Sequence, residues 1–251
     1  MTFAVDSPSL EDVVVGRSFE LSLFKAILSA RKPGLIMLTG ERGSGKTSLL
    51  SLVRQHAISA GWNVAPQRGE SLNVDADTTE ESFSAQLRTL IVSPSEKSFI
   101  EKSVPRASNV TGESSSDATV SLPIVEQMCA RVPFLLLIDG FEGEEGFSTW
   151  FKTLFLQNVR ASKCPLIVIV AERAGVSGLE SSADQTVALK KIDIAPIREH
   201  FERLGPQLTP PIEAAELEVY INSAHRRPDL LNSLTRVLSL AIKTHESLPK
   251  T

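Results

Sequence analysis

The sequence predicts an α/β fold: a five-stranded parallel sheet covered by helices to make three layers, followed by a small helical lid. Three observations carry that expectation. Short apolar runs alternate with amphipathic stretches as far as residue 189, the pattern of parallel strands joined by helical crossovers. The apolar run at 35–39 passes straight into the glycine-rich stretch Gly40-Glu41-Arg42-Gly43-Ser44-Gly45-Lys46-Thr47 and then into a helical segment. From Pro196 onward the strand-like runs stop and helical spacing alone remains. The division expected is an α/β core over 1–195 and a lid over 196–251.

Taken in order, residues 1–9 read as a loose arm. Leu21, Leu23, Phe24, Ile27 and Leu28 recur at helical spacing over 20–30, and Pro33-Gly34 closes that helix. A buried strand follows at 35–39, then a helix over 46–60 stopped by Gly61. The second strand is expected at 62–65. A helix over 80–92 carries Phe83, Leu87, Leu90 and Ile91 on one face. Residues 93–117 are rich in Ser, with Pro, Glu and an Asn among them, and read as a long flexible insertion. A helix over 120–130 leads to a third strand at 134–138, ended by Asp139-Gly140. Phe147, Trp150, Phe151, Leu154 and Phe155 mark a helix over 147–159. Strands at 166–171 and 186–189 complete the sheet. Helices near 196–204, 211–223 and 228–244 form the lid, divided by Gly205-Pro206, Pro210-Pro211 and Arg227-Pro228.

Composition narrows the function classes. The 251 residues are 42% hydrophobic and 22% charged, ample material for a core. A formal net charge of -4 leaves no global basic excess to hold DNA, although a local patch stays possible. The longest apolar runs are too short to span a bilayer, and no basic region precedes an apolar stretch at the N-terminus, so neither membrane nor signal peptide is expected. Cys129 and Cys164 lie far apart with no metal-ligand spacing and read as reduced thiols of a cytoplasmic protein.

The stretch 40–47 fits G-x-x-x-x-G-K-[ST] in full. A chance match would lack the strand before it and the helix behind it. Backbone N–H groups of such a loop wrap phosphates, and the helix N-terminus adds a favourable dipole. Gly40, Gly43 and Gly45 permit close backbone approach. Lys46 reaches the β- and γ-phosphates, and the Thr47 hydroxyl ligates Mg²⁺. Gly40, Glu41, Arg42, Gly43, Ser44, Gly45, Lys46, Thr47 and Ser48 are the candidate phosphate-binding set. Asp139, ending the apolar strand at 134–138, is the second candidate Mg²⁺ ligand; alone it would read as a turn-forming Asp before Gly140. Hydrolysis needs a group that orients or deprotonates water. No acid directly follows Asp139, so Glu142 is the nearest candidate, with Glu144 and Glu145 behind it; the alternative is a solvated acidic loop. Arg173 follows a buried strand, at the sheet edge where ligands of open α/β sheets bind, and is a candidate for the γ-phosphate.

These residues resemble the STAND branch of AAA+-type P-loop ATPases, within the ASCE class of NTPases. Val13-Val14-Val15-Gly16-Arg17-Ser18-Phe19-Glu20-Leu21 is similar to the segment that precedes the first strand in NB-ARC, STAND and Orc/Cdc6-type ATPases and packs near the adenine. Leu136-Leu137-Ile138-Asp139-Gly140-Phe141-Glu142 resembles the NACHT-type Walker B, whose acids come after a small residue. Leu166 to Arg173 resembles the strand that ends in a sensor-1 arginine. Ala224-His225-Arg226-Arg227-Pro228 sits where lids of the family carry G-x-P or a sensor-2 arginine. The resemblance spans about residues 12–240. It implies roles for Arg17 and Pro228 in nucleotide contact and for Glu142 and Arg173 in catalysis, with ATP and Mg²⁺ as cofactors. Arg226 replaces the glycine of G-x-P, Glu172 stands where a polar residue usually precedes the arginine, and Gly143 thins the acidic pair. The implied function is an ATP-binding switch with slow hydrolysis, acting on a protein partner or by self-assembly. The rivals are a DNA-associated AAA+ ATPase of the initiator or transposition-regulator type, and a nucleotide-binding scaffold with negligible hydrolysis. Residues 196–251 hold as many acids as bases, which speaks against DNA.

Overall fold

The computed structural model describes residues 15–66, 72–91, 125–126, 128, 132–173, 175, 177–207, 211–227, 231, 233–235 and 237–238. The arm at 1–9, the insertion at 93–117, Cys129 and Pro228 lie outside the described residues.

Chain order follows the expected alternation. Helix α1 (Ser18–Ala30) buries Phe24, Ile27 and Leu28. Strand β1 (Gly34–Gly40) is buried up to its last residue and turns through the glycine-rich loop into α2 (Lys46–Ser59). Two short strands follow, β2 (Asn63–Ala65) and β3 (Leu72–Val74), then α3 (Glu80–Ile91). Beyond the described helical residues Val125, Glu126 and Met128 comes β4 (Phe134–Phe141). Helix α4 (Glu145–Trp150) runs through a π-helical turn (Phe151–Phe155) into α5 (Leu156–Ala161). Strand β5 (Leu166–Glu172), a 3₁₀ turn (Leu179–Ser182) and β6 (Gln185–Leu189) complete the sheet. The C-terminal part contains α6 (Ile194–Leu204) and α7 (Ala214–Arg226), and its described residues from 231 to 238 are helical.

All the pairings are parallel, in the order β2-β4-β5-β1-β6, with β3 also on β4. Strand β2 lies opposite Phe134–Leu136, whereas β3 pairs at Ile138 and Phe141. The two are pieces of one edge, laid end to end. The sheet thus has the five expected strand positions, one of them filled in two pieces. The pairing of Val74 with Phe141, and the Glu142 N–H donated to the Val74 carbonyl at 2.7 Å, carry β4 through Asp139-Gly140, where the sequence predicts its end.

Strand alternation sorts the core into two layers. Leu166, Val168 and Val170 face a cluster with Phe83, Phe147, Phe151 and Phe155. Ile167, Ile169 and Ala171 face the opposite cluster with Phe24, Leu49, Val53 and Ala57 from α1 and α2. Helices on both faces of a parallel sheet make the three-layer α/β fold. A third cluster joins Val15 to Ile197, Phe201, Leu204, Ile221, Ala224, Leu231 and Leu238. Within it the buried His200 Nε2 meets Thr235 Oγ1 at 3.0 Å, tying α6 to the helical residues beyond 231. Helix α6 starts two residues before Pro196, because a proline in the first turn removes an N–H that has no intrahelical acceptor. Helix α7 begins three residues later than the sequence suggests, with Glu213 extended as its N-cap.

Candidate nucleotide site

The C-terminal ends of β1, β4 and β5 open into a cavity of about 500 Å³, within the range of small-molecule sites. Arg42, Gly43, Gly45, Lys46, Thr47 and Ser48 line it from the loop and the first turn of α2. Asp139, Gly140, Phe141 and Glu142 line it from β4, and Ala171, Glu172 and Arg173 from β5. Gly40 and Glu41 instead line a neighbouring cavity behind the loop, which shares Arg42 and Arg173 with the first. Ser44 is buried at 6% exposure, its hydroxyl without a partner and its carbonyl accepting a bond from Arg17.

The loop residues meet one another through polar contacts. Lys46 Nζ donates to the Gly40 and Glu41 carbonyls at 2.7 and 2.9 Å. Burial lowers its pKa, the Asp139 carboxylate opposes that shift, and the Arg173 guanidinium adds to it. The Thr47 hydroxyl donates to Asp139 Oδ2 at 2.6 Å. A hydroxyl and a carboxylate in contact at the head of α2 form the oxygen donor pair that Mg²⁺ takes in phosphate sites, where water and phosphate complete the octahedron. Among the described residues no group of three or more His, Cys, Asp or Glu could hold a metal by itself. The Thr47–Asp139 pair is a donor set that fits a nucleotide-bound Mg²⁺.

Arg17 lines the cavity wall, but its guanidinium is engaged by protein. It donates to Glu20 Oε1 at 2.8 Å, the Ser44 carbonyl at 2.7 Å and the Lys190 carbonyl at 2.6 Å. Glu142 and Arg173 are exposed on the cavity rim. Glu144 and Glu145 line other surface depressions and do not reach this one. Gly143 has a packing reason: a Cβ there would stand 2.7 Å from the Phe147 ring and 3.1 Å from Val74 Cγ1. The second acid of a NACHT-type pair has no room at that position. Arg226 and Arg227 are exposed and away from the cavity.

Ile192, Leu231 and Arg54 are additions to the residues that the sequence singles out, and Val15 comes from the segment expected near the adenine. Val15, Ile192 and Leu231 give the cavity an apolar wall, and they come from before α1, from the β6–α6 connection and from the C-terminal helical part. Ile192 stands alone between charged neighbours, so its sequence context carries no signal. Arg54 follows Thr47 by seven residues, two turns along the same face of α2. Burial lowers its pKa while the Asp139 charge acts to raise it, and its Nε is buried without an acceptor. Helical spacing from Thr47 could have found it.

A parallel sheet with a lysine-bearing phosphate loop after β1 and an acid on β4, one strand removed from β1 across β5, defines a P-loop nucleotide-binding protein. The family model of the AAA ATPase domain matches residues 13–169, and the chain belongs to that family of AAA+ P-loop ATPases. No curated protein matches the chain. Among solved structures, it is similar to a chain of the E. coli MS115-1 HORMA:CdnC:Trip13 complex, at 12% identity over 98% of each chain and a TM-score of 0.51. Domain III of the Thermotoga maritima replication initiation protein DnaA aligns at 14% identity over 95% of this chain and 90% of that one, with a TM-score of 0.50. A STAND protein with a tetratricopeptide repeat sensor from Pyrococcus horikoshii aligns at 18% identity, with a TM-score of 0.51, over 98% of this chain and 31% of its own length. At these identities the likeness is one of fold. No described helix is long and apolar enough to cross a membrane.

Proposed function

We propose that this chain binds and slowly hydrolyses ATP, and that the bound nucleotide sets the position of a helical lid over 196–251. Lid position then controls assembly with a protein partner or with further copies of the chain. One observation carries the reading: a single cavity is walled both by the phosphate loop and by Val15 and Leu231, which belong to the C-terminal apolar cluster. A ligand filling it touches core and lid together, and so has differential contacts with any two lid positions.

The residues divide the work by chemistry. Lys46 leaves the Gly40 and Glu41 carbonyls for the β- and γ-phosphates, a charge-assisted contact in place of two neutral acceptors. Thr47 and Asp139 hold Mg²⁺, which when bound neutralises charge on the phosphate oxygens. Arg173, and Arg42 beside it on the rim, face the terminal phosphate. Val15, Ile192 and Leu231 take the base, with Pro228 close by in sequence. Glu142 orients the attacking water, being the one of the three post-strand glutamates on the cavity wall.

Phosphate release in single turnover tests this assignment. Glu142→Gln is expected to bind ATP and to hydrolyse it about 10²- to 10⁴-fold more slowly, the usual cost of losing a general base. Glu144→Gln and Glu145→Gln should hydrolyse at the wild-type rate. Wild-type protein that binds ATP but releases no phosphate would make the chain a nucleotide-binding scaffold. Normal rates in all three variants would take the water away from this loop.

A further inference from the structure

Arg17 is 4% exposed, and its guanidinium joins three separate pieces of chain. Glu20, one turn into α1, fixes one terminal nitrogen. The other terminal nitrogen donates to the Ser44 carbonyl inside the phosphate loop and to the Lys190 carbonyl directly after β6. Lys190 opens the four-residue connection to α6, the passage from sheet to helical part. The residue before Arg17 is fitted to the same connection. Gly16 has φ +68°, and a Cβ there would lie 3.1 Å from Ile192 Cγ2 and 3.2 Å from Pro196 Cβ. Val15, one step further back, packs in the C-terminal cluster.

We propose that Arg17 is a positioning residue, a strut that carries the state of the phosphate loop to the connection between sheet and lid. Two carbonyls that share one guanidinium nitrogen cannot move independently without leaving a buried charge-assisted bond unmade. The Ser44 carbonyl belongs to the loop whose backbone turns toward phosphate. Its displacement on nucleotide binding draws on the nitrogen that also holds Lys190, and the connection carries α6 with it. The guanidinium suits this because its planar fork reaches Glu20 and both carbonyls at once, whereas a lysine ammonium is a single point on a shorter reach. The resemblance to STAND proteins implies an arginine that contacts nucleotide; Arg17 lines the cavity, and its bonds to the Ser44 and Lys190 carbonyls add the coupling to that role. The inference rests on the ATP-switch reading above.

Hydrogen exchange of residues 190–204 in the full chain tests it, with and without ATP·Mg²⁺ at concentrations that calorimetry shows to be saturating for each protein. Wild type, Arg17→Lys and Glu20→Gln are compared. The wild type should change protection over 190–193 and the start of α6 on binding ATP. In Arg17→Lys that change should fall by at least threefold, and in Glu20→Gln it should fall part of the way. A wild type that binds ATP with no response at 190–204 overturns the lid switch and the strut together. A wild-type response kept in full by saturated Arg17→Lys overturns the strut alone and leaves the switch standing. If Arg17→Lys cannot be saturated, Glu20→Gln decides: a diminished response supports the strut, and a full one overturns it.

Discussion

Glu172 ends β5 with 4% of its surface exposed and neither carboxylate oxygen hydrogen-bonded. Burial raises its pKa above the usual carboxylate range. Ser177 opposes that rise through its hydroxyl and backbone, yet neither donor reaches hydrogen-bond geometry; Glu180 adds to the rise and Lys152 opposes it. A carboxyl with a raised folded-state pKa keeps its proton longer in the fold than in the unfolded chain. Its stabilising contribution is present below the unfolded value and is lost as pH rises through the folded one. Glu172→Gln removes the charge, so its melting temperature should exceed that of the wild type at pH 8 and converge on it near pH 4. Each kcal/mol gained is about 2–4 °C for a chain of this size. Melting curves across that range check this, and an equal loss of stability at both ends would contradict it. The same residue marks the limit of linear reading. Lys46, Thr47 and Asp139 were legible because their spacing relative to strand and helix is the chemistry itself. That Glu172 is unpartnered, that Arg17 faces carbonyls, and that Ile192 and Leu231 meet across the cavity are consequences of packing, which spacing does not encode.

Helix α4 and the turns after it show the same boundary at the level of elements. Phe147, Trp150, Phe151, Leu154 and Phe155 predict one amphipathic helix, and a helix is present, longer at both ends and interrupted by a π turn at Phe151–Phe155. The apolar positions keep three- and four-residue intervals through the π turn, so this sequence carries no periodicity signal for it. Within it the Phe151 ring centroid lies 5.0 Å from that of Phe141, 4.9 Å from Phe155 and 5.9 Å from Phe83. Phe141 lies on the cavity wall and immediately precedes Glu142. Phe151→Ala should therefore cost about 3–5 kcal/mol, or about 10 °C in melting temperature, and should slow hydrolysis more than it weakens ATP binding. Thermal melts with calorimetry check both parts; an unchanged melting temperature would mean the aromatic cluster does not hold the end of β4. Strand β3 was missed for a simpler reason: three residues, with Asn73 exposed between Leu72 and Val74, give too short an alternation to stand out.

Across the whole molecule, two apolar layers fix the sheet, and a third cluster brings the C-terminal helices against the cavity through Val15 and Leu231. The alternation of strands and helices, the parallel sheet and the loop between β1 and α2 were legible because each follows from local period and glycine placement. How the helical part meets the core was not, because it depends on contacts between residues as far apart in sequence as Val15 and Leu231. The central claim is that this cavity is an ATP·Mg²⁺ site built on Lys46. Calorimetric titration of the wild type and Lys46→Ala, with and without Mg²⁺, tests it most directly. Removing a charge-assisted contact of this kind costs on the order of 1.5–3 kcal/mol or more, about 10- to 150-fold in affinity. The account predicts one ATP bound per wild-type chain, tighter with Mg²⁺ than without, and binding weakened by at least that factor or lost in a folded Lys46→Ala. Equal ATP affinity in the two proteins would contradict it.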